Sequence, residues 1–231
     1  MNKTLVIIPT YNEIENIENI IAAINEATDL DILVVDGNSP DETAKKVESL
    51  KKINKNLHLI KKEKKEGLGK AYVLGFQFAQ DNKYENIIQM DADFSHNPAI
   101  IPMFLDKIKN YDVVVGTRYM KGGSVRNWSF WRILLSFSAS IYVRLITGLP
   151  LKDPTSGFKC IRVEVLKKTD FKNIKSSGYS FQIESAYKLW KSRARFAEIP
   201  ITFEDRQHGK TKMSKAIVWE AVCLVWKLKN K

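Results

Sequence analysis

Short apolar runs alternate with amphipathic segments through the first half of the chain. Five runs suit buried strands, at 4–9, 31–35, 57–60, 86–90 and 112–116. After the first run, isoleucines recur at helical spacing, at Ile14, Ile17, Ile20, Ile21 and Ile24, and Thr10 or Asn12 is placed to cap that helix. Strands that alternate with helices predict a mostly parallel, doubly wound α/β sheet.

The pattern after residue 116 is less regular. It predicts helices near 128–147, 179–192 and 213–228, and a strand near 195–203. No linker rich in Pro, Gly or Ser separates the two halves, and 231 residues suffice for one well-packed core. We therefore predict a single domain over 1–231.

The most informative polar residues follow the strands directly. Asp91 and Asp93 end the fourth strand, while Glu13 and Asp36 follow the first and second. In a doubly wound sheet these strand ends share the edge where ligands bind. Asp91 and Asp93 offer the hard oxygen ligands that a divalent cation on a diphosphate prefers. Taken singly, each motif is equally explained as a helix cap or a turn.

Composition adds a basic surplus of 37 Lys and Arg against 26 Asp and Glu, a formal charge of +11. This charge indicates nucleic acid, a phosphorylated substrate or an acidic lipid surface as partner, or else only a solvated basic surface. The isolated Cys160 and Cys223 support neither a disulfide framework nor a cysteine-based metal site. No signal peptide precedes the first strand, and no uncharged apolar run approaches the roughly 18 residues of a spanning helix. We expect an intracellular protein that meets membranes at its surface.

Two further features are weak taken alone. Gly67-Leu68-Gly69-Lys70 opens a helix and suits phosphate, although a plain glycine turn explains it as well. It is not a dinucleotide fingerprint, because position 72 is Tyr, and the chain has no Walker-type loop. The histidines His58, His96 and His208 are scattered, with no partner at metal-ligand spacing.

The stretch 128–147 carries polar residues at every fourth position within an apolar sequence: Arg132, Ser136, Ser140 and Arg144. On a helix they form one slanting polar stripe, the reverse of a soluble amphipathic helix. The pattern fits a helix at a membrane interface whose arginines face lipid phosphate. The alternative is a deeply buried helix with ion-paired arginines. Arg118 directly follows the fifth strand, again on the ligand edge.

The C-terminal part contains a basic loop, 204–212, followed by the last helix. Such a loop can fold over a diphosphate and neutralise a leaving group. Trp219, Trp226 and the terminal lysines fit a membrane-interface anchor, or else a helix packed on its own domain.

Together these motifs resemble the family-2 glycosyltransferases of GT-A fold and, within them, the dolichyl- or polyprenyl-phosphate mannosyltransferases. The resemblance runs from Leu5 to about Ser214 and rests on eight motifs in one order: Pro9 to Glu13, Asp36 to Asp41, Gly67 to Lys70, Met90 to Pro98, Gly116 to Tyr119, Asp153 to Phe158, Gly178 to Gln182 and Glu198 to Ile201. It implies a Rossmann-like, mostly parallel sheet flanked by helices, with amphipathic interfacial helices toward the C-terminus. The implied parts are a nucleotide-sugar-binding half at 1–116, an acceptor-binding half at 117–212 and an amphipathic helix at 213–231.

The resemblance also implies residue roles. The nucleotide sugar would be held by Pro9, Tyr11, Glu13, Asp36 and Asp91, with Arg206 and Lys212 closing over it. Mg²⁺ or Mn²⁺ would be bound by Asp91, Asp93 and Ser95, and the acceptor phosphate by Arg118, Arg132 and Ser136. The catalytic set would be Asp91, Asp93, Arg118 and Arg132. This sequence departs from the family pattern at two positions. Many relatives have a second Asp where Gly37 stands, at the donor site, and some have Gln where Ser95 stands, at the metal site.

The implied reaction is the inverting transfer of mannose from GDP-mannose to polyprenyl or dolichyl phosphate. A phosphate oxygen is already ionised at neutral pH, so this nucleophile needs no carboxylate base. The resemblance implies peripheral attachment to the cytoplasmic face of a membrane, in some relatives through a small anchoring subunit.

Three alternatives stay open from the sequence. One is a family-2 enzyme that uses UDP-glucose or another nucleotide sugar on the same lipid. The others are a basic nucleic-acid-binding protein and a nucleotide-binding domain without turnover. Against nucleic acid, the aromatic residues do not interleave with basic ones, and carboxylates crowd the ligand edge.

Overall fold

A seven-stranded mixed sheet forms the centre of the fold. Its strands are β1 (Thr4–Thr10), β2 (Asp31–Asp36), β3 (Leu57–Lys61), β4 (Asn86–Gln89), β5 (Val113–Thr117), β7 (Lys159–Arg162) and β8 (Phe196–Pro200). The order across the sheet is β3-β2-β1-β4-β7-β5-β8, and only β7 runs antiparallel to its neighbours. Two short strands, β6 (Ser124–Arg126) and β9 (Thr202–Glu204), pair separately in parallel.

This computed structural model describes residues 3–171, 174, 176, 178–205 and 215–229, with the side chains of 215–218 excepted. Its helices are α1 (Ile17–Ala27), α2 (Thr43–Lys51), α3 (Leu68–Asp81), α4 (Ile101–Lys107), α5 (Phe130–Thr147), α6 (Val163–Lys168), α7 (Gly178–Lys191) and α8 (Lys215–Lys229). Helices cover both faces of the sheet. The structure thus confirms the predicted mostly parallel α/β architecture.

Alternating side chains of the strands supply two cores, one on each face. Along β1, Val6 and Ile8 pack with α1, α2 and α4, whereas Leu5 and Ile7 pack with α3, α6 and α7. All four side chains are fully buried. Burial of each such side chain stabilises the fold by roughly 1.5–3 kcal/mol, so β1 anchors both layers.

The strand order reverses at β1, which lies between β2 and β4. In open α/β sheets this reversal opens a crevice at the carboxyl ends of the two strands on either side. Residues Pro9–Glu13 at the end of β1 and Asp91–Ser95 after β4 border that crevice. Because β7 runs the opposite way, the loop 153–158 that precedes it reaches the same edge of the sheet.

Several predicted boundaries were wrong. Helix α1 begins at Ile17, so Ile14 lies before it and is 37% exposed. Neither predicted cap is used: the Thr10 hydroxyl donates to Asp36, and Asn12 stands at a φ of 61°. The single strand predicted near 195–203 is two strands, β8 and β9, which belong to different sheets.

Helix α5 is largely exposed. Of all helices in the described residues, it alone has the length and composition to cross a membrane, with 18 residues, a mean hydropathy of 1.2 and 17% of its residues buried. It is not an uncharged run, because Arg132 and Arg144 interrupt it. This exposure contradicts the deeply buried alternative, although Arg132 is ion-paired as that alternative required.

Helices α5, α7 and α8 share a small third core, formed by Val143, Ile183, Tyr187, Val225 and Leu228. The opposite sides of α5 and α8 carry large exposed apolar side chains: Phe130, Trp131, Leu134, Leu135, Phe137, Ile141, Leu145, Trp219 and Trp226. Both helices thus have one apolar side packed on the domain and large apolar side chains exposed on the other.

Candidate active site

A cavity of about 500 Å³ opens at the carboxyl ends of β1 and β4. Its size falls in the range of small-molecule binding sites. Eight of the residues singled out in the sequence line it together: Pro9, Tyr11, Glu13, Asp91, Asp93, Ser95, Arg118 and Arg132. Two others, Asp36 and Ser136, do not line it. Arg206 and Lys212 lie outside the described residues.

Asp36 supports the cavity from behind. Its buried carboxylate accepts hydrogen bonds from the Thr10 hydroxyl (2.9 Å) and from the backbone N–H (2.9 Å) and hydroxyl of Ser39. These bonds hold the β1 and β2 loops together and leave Gly37 on the cavity wall. Asp36 therefore shapes this wall, whereas the sequence predicted direct contact with the nucleotide sugar.

The turn after β4 presents the two carboxylates differently. Asp93 is 5% exposed and accepts from the Ser95 N–H (3.1 Å) and the Ser95 hydroxyl (2.6 Å). Phe94, between them, stands at a φ of 61°, a left-handed backbone value that is uncommon for a residue with a bulky side chain. Asp91, by contrast, keeps 36% of its side chain exposed to the cavity. One carboxylate thus fixes the turn while the other faces a ligand.

His96 also contacts this turn, although no partner for it was predicted from the sequence. Its Nδ1 accepts from the backbone N–H of Asp91 at 3.1 Å and lies 4.0 Å from the Asp91 carboxylate, and its ring stacks on Phe158. Burial lowers the pKa of His96 to about 4. The imidazole is therefore neutral near pH 7, and its proton lies on Nε2 because Nδ1 is the acceptor.

The residues at this turn fit a divalent cation. Asp91, Asp93 and Ser95 supply hard oxygen atoms at one end of the cavity. Gly157 leaves room beside them, because a Cβ there would lie 3.6 Å from Asp91 Oδ2 and 3.2 Å from His96 Cε1. Within the described residues, no three His, Cys, Asp or Glu side chains group to hold a metal. A cation here would share its coordination with ligand oxygens and water, as Mg²⁺ ordinarily does.

Arg118, which also lines the cavity, forms a buried ion pair with Asp153. Its Nε and Nη2 donate to the two carboxylate oxygens at 2.6 and 2.7 Å, and Nη2 also donates to Thr155 at 2.7 Å. Burial opposes both charges, but Asp153 raises the pKa of Arg118 and Arg118 lowers the pKa of Asp153. Both groups stay ionised, and the Asp153 carboxylate fixes the guanidinium in the cavity wall.

Arg132 enters the cavity from the first turn of α5. Its Nη1 donates to Asp205 at 2.8 Å, and its guanidinium lies 4.0 Å from the centre of the Trp128 ring. Its Nε is buried and makes no hydrogen bond within the described part of the chain. Asp205 therefore occupies one nitrogen of the Arg132 guanidinium, and other N–H groups of the guanidinium are available as donors. An arginine with available N–H donors in a cavity wall can bind an anion.

Ser136, one turn farther along α5, does not reach the cavity. The sequence grouped it with Arg132 because both fall on the same helical stripe. In the fold, Arg132 lines the cavity and Ser136 does not, while Ser140 farther along the stripe is buried. Ser136 lies within α5, away from the cavity wall.

A basic segment before α3 adds cations to the cavity wall beside Tyr11. The Lys65 ammonium lies 3.6 Å from the centre of the Tyr11 ring, and the buried Lys62 pairs with Glu66 at 3.2 Å. All four residues line the cavity. The sequence showed a lysine-rich turn here but gave no reason to place it beside Tyr11.

Several lining residues had no predicted role, among them Thr155, Gly157, Gln182, Phe203 and Asp205. The first three belong to motifs that the sequence resemblance quoted without assigning them a function. Asp205 gave no signal, because its partner Arg132 is 73 residues away.

Comparison with known proteins identifies the family. Residues 5–170 match the family model described as Glycosyl transferase family 2. The chain is 38% identical over 221 residues to the undecaprenyl-phosphate mannosyltransferase of Micrococcus luteus, covering 95% of this chain and 91% of that protein. It is 39% identical over 223 residues to the polyprenol monophosphomannose synthase of Mycolicibacterium smegmatis, covering 95% and 84%.

A solved structure shows the same fold. The mannosyltransferase PcManGT from Pyrobaculum calidifontis, solved in complex with GDP-Man and Mn²⁺, superposes with a TM-score of 0.61 at 14% identity, covering 98% of this chain and 69% of that one. At this identity the likeness concerns the fold. Given the match over 5–170 and two relatives near 40% identity, the chain belongs to glycosyl transferase family 2.

Proposed function

We propose that this chain transfers mannose from GDP-mannose to a polyprenyl phosphate, with inversion at the anomeric carbon. One observation carries the proposal: the carboxylates Asp91 and Asp93 and the arginines Arg118 and Arg132 line a single cavity. The relatives, a mannosyltransferase acting on undecaprenyl phosphate and a polyprenol monophosphomannose synthase, support the sugar and the acceptor. The GDP-Man complex of the Pyrobaculum enzyme supports the donor.

The donor lies on the β1 and β4 side in this proposal. Pro9, Tyr11 and Glu13 contact the nucleoside, and Asp36 acts through the loop that it holds. Mg²⁺ or Mn²⁺, held by Asp91, Asp93 and Ser95, would offset the negative charge that develops on the leaving diphosphate. Contacts from Arg206 and Lys212 to the donor rest on the sequence resemblance alone.

The acceptor phosphate lies on the side of Arg118 and Arg132. Its oxygen is ionised at neutral pH, so the arginines need only hold it in line with the anomeric carbon, a gain that comes from alignment. Arg118 is preorganised by Asp153, and Arg132 by Trp128. A role for Ser136 at the phosphate would require α5 to shift, since this side chain does not line the cavity.

The membrane lies against α5 and α8. Arg132 points into the cavity while the adjacent Trp131 is 74% exposed, so one helical turn joins the phosphate end of the site to an apolar surface. A lipid acceptor needs this arrangement, because its phosphate must enter the cavity while its chain stays in the bilayer. On this proposal 1–116 binds the donor, 117–212 the acceptor, and 213–231 lies at the cytoplasmic face of the membrane.

Donor binding gives the first test. Melting temperatures measured with GDP-mannose, UDP-glucose and neither, each with and without Mn²⁺, separate the donors. We expect GDP-mannose to raise the melting temperature and Asp91→Ala to abolish the Mn²⁺-dependent part of that rise. If only UDP-glucose raises the melting temperature, UDP-glucose takes the place of GDP-mannose as the proposed donor. If neither compound raises it, the proposal that GDP-mannose is the donor is wrong.

Vesicle binding gives the second test. We expect the purified chain to sediment with anionic phospholipid vesicles, and Trp131→Glu to abolish this sedimentation. Ile53→Glu is the matched control, because Ile53 is 84% exposed but lies between α2 and β3. Equal losses in both variants, or no binding by the wild type without a second protein, would favour attachment through an anchoring subunit.

A further inference from the structure

Lys159 is a buried lysine close to the candidate active site, and the proposed function gives it no role. It begins β7, is fully buried, and lies on the same strand as the core residue Ile161. Burial lowers the pKa of its ammonium to about 7, a shift that the negative charges of Asp153 and Asp91 partly oppose. An apolar side chain would fill the same space without this electrostatic cost, so packing does not explain a lysine here.

Within the described residues, the Lys159 ammonium donates its hydrogen bonds to Gln182 on α7. Nζ donates to Gln182 Oε1 at 2.6 Å, with the Gln182 backbone carbonyl 3.5 Å away. In its charged form the Lys159 amine has donors and no acceptor, so the oxygen of the amide faces it, as in the structure. The charged form of Lys159 therefore favours one of the two ways in which a glutamine amide can be turned.

The nitrogen of that amide consequently faces the cavity. Gln182 Nε2 lies 3.4 Å from the position that a Cβ on Gly157 would occupy, and the same position is 3.6 Å from Asp91 Oδ2. Gln182, Gly157 and Asp91 all line the cavity. Nε2 donates to no atom of the described residues, so its protons remain for a ligand.

The place of this amide indicates which part of a ligand it meets. It lies beside Asp91, on the diphosphate side, and beside the loop 153–158, which carries the partner of Arg118. A sugar that passes from a diphosphate to an acceptor phosphate must lie between these two groups. A neutral N–H donor suits a sugar hydroxyl at this position.

We infer that Lys159 is a positioning residue of the transfer reaction, which fixes the Gln182 amide so that its N–H₂ group binds a hydroxyl of the donor sugar. The inference rests on the proposed function, since it requires a nucleotide sugar in the cavity. It assigns sugar recognition to Gln182 and a supporting role to a lysine that touches no substrate.

Calorimetric binding of GDP-mannose and of GDP, both with Mn²⁺, tests this assignment. The readout is the ratio of the two dissociation constants, because effects on the nucleotide, diphosphate or cation cancel in it. We expect Gln182→Ala to lower the preference for GDP-mannose by about tenfold, the scale of one lost hydrogen bond. Lys159→Met should lower it similarly, because the amide is then free to turn.

A double variant separates positioning from structural damage. If Lys159 acts through Gln182, Lys159→Met combined with Gln182→Ala should lower the ratio no further than Gln182→Ala alone. Gln182→Glu keeps the acceptor for Lys159 but removes the donor, so it tests the contact should Lys159→Met fail to fold. Lys168→Met, an exposed lysine replacement, is the control and should leave the ratio unchanged.

The outcomes are distinct. An unchanged ratio in Gln182→Glu and Gln182→Ala, or additive losses in the double variant, would overturn the inference. If the wild type binds UDP-glucose instead of GDP-mannose, the proposed donor is wrong, and the ratio of UDP-glucose to UDP then tests Lys159 in the same variants.

Discussion

The ion pair between Arg132 and Asp205 places a carboxylate where the acceptor phosphate is proposed to bind. The side chains are 20% and 30% exposed, and the Nη1–Oδ2 distance is 2.8 Å. The incoming phosphate must compete with this carboxylate for the arginine. We predict that Asp205→Asn lowers the KM for the acceptor.

The size of the effect follows from the geometry. Two charges about 4 Å apart attract by about 4 kcal/mol at an effective dielectric of about 20. Partial exposure and side-chain entropy reduce the net value of such pairs to about 1 kcal/mol. Relief of that competition corresponds to about a fivefold lower KM. Asparagine keeps the shape of the side chain, and Trp128 still holds the guanidinium.

The assay is the initial rate at saturating GDP-mannose over a range of short-chain polyprenyl phosphate. Glu204→Gln is the matched control, because Glu204 pairs with Arg126 on a more exposed surface and should leave KM unchanged. Added salt should narrow the difference between Asp205→Asn and the wild type, since salt screens the pair. A higher KM in Asp205→Asn would mean that Asp205 orients Arg132 for the phosphate, and the competition argument would be wrong.

Four further predictions concern the rest of the site. Asp91→Ala should abolish transfer. Near-normal activity of this variant with Mg²⁺ would show that Asp91 does not bind the metal. Gly157→Ala should reduce transfer strongly, because the new Cβ takes cavity space 3.6 Å from Asp91 Oδ2 and presses on His96 Cε1 at 3.2 Å; normal kinetics would show that no ligand uses this space. Asp153→Asn should cost about 3–5 kcal/mol in urea unfolding, because it leaves Arg118 buried without its counter-charge, and a loss below about 1 kcal/mol would refute that. Lys159 has a pKa of about 7 in the folded chain, so between pH 7 and 10 it is protonated in the unfolded chain and deprotonated in the folded one. The free energy of unfolding should therefore rise more steeply with pH in the wild type than in Lys159→Met. Parallel curves for the two proteins would contradict the low pKa.

The convergence of Glu13, Asp91 and Arg118 was predictable, because each follows a parallel strand and parallel strands end at one edge of the sheet. The apolar runs themselves located these strands. The reversal of strand order at β1 then follows from the usual topology of such sheets, and it explains why Pro9 and Asp91 share a cavity.

The antiparallel β7 was not predictable from its four residues. Charged residues stand at both of its ends, Lys159 and Arg162, and lysine is among the residues least often buried. With β7 unrecognised, the loop before it could not be placed, and so Asp153 was not recognised as the partner of Arg118.

The hydrogen-bond and ion-pair partners of the site residues could not be predicted from the sequence either. The sequence identified Asp36 and Arg132 as important without showing what they contact. Asp36 is occupied by Thr10 and Ser39, and Arg132 by Asp205, which is distant along the chain. Pairings of this kind depend on the tertiary fold, and local pattern carries no information about them.

The most direct test of the central claim is the product itself. The purified chain would be incubated with Mn²⁺, labelled GDP-mannose and vesicles containing polyprenyl phosphate, followed by extraction into organic solvent. We predict lipid-soluble label that mild acid releases as mannose, dependent on polyprenyl phosphate and lost in Asp91→Ala. GDP-mannose binding without label in the lipid phase, or lipid-linked label only from UDP-glucose, would contradict the account.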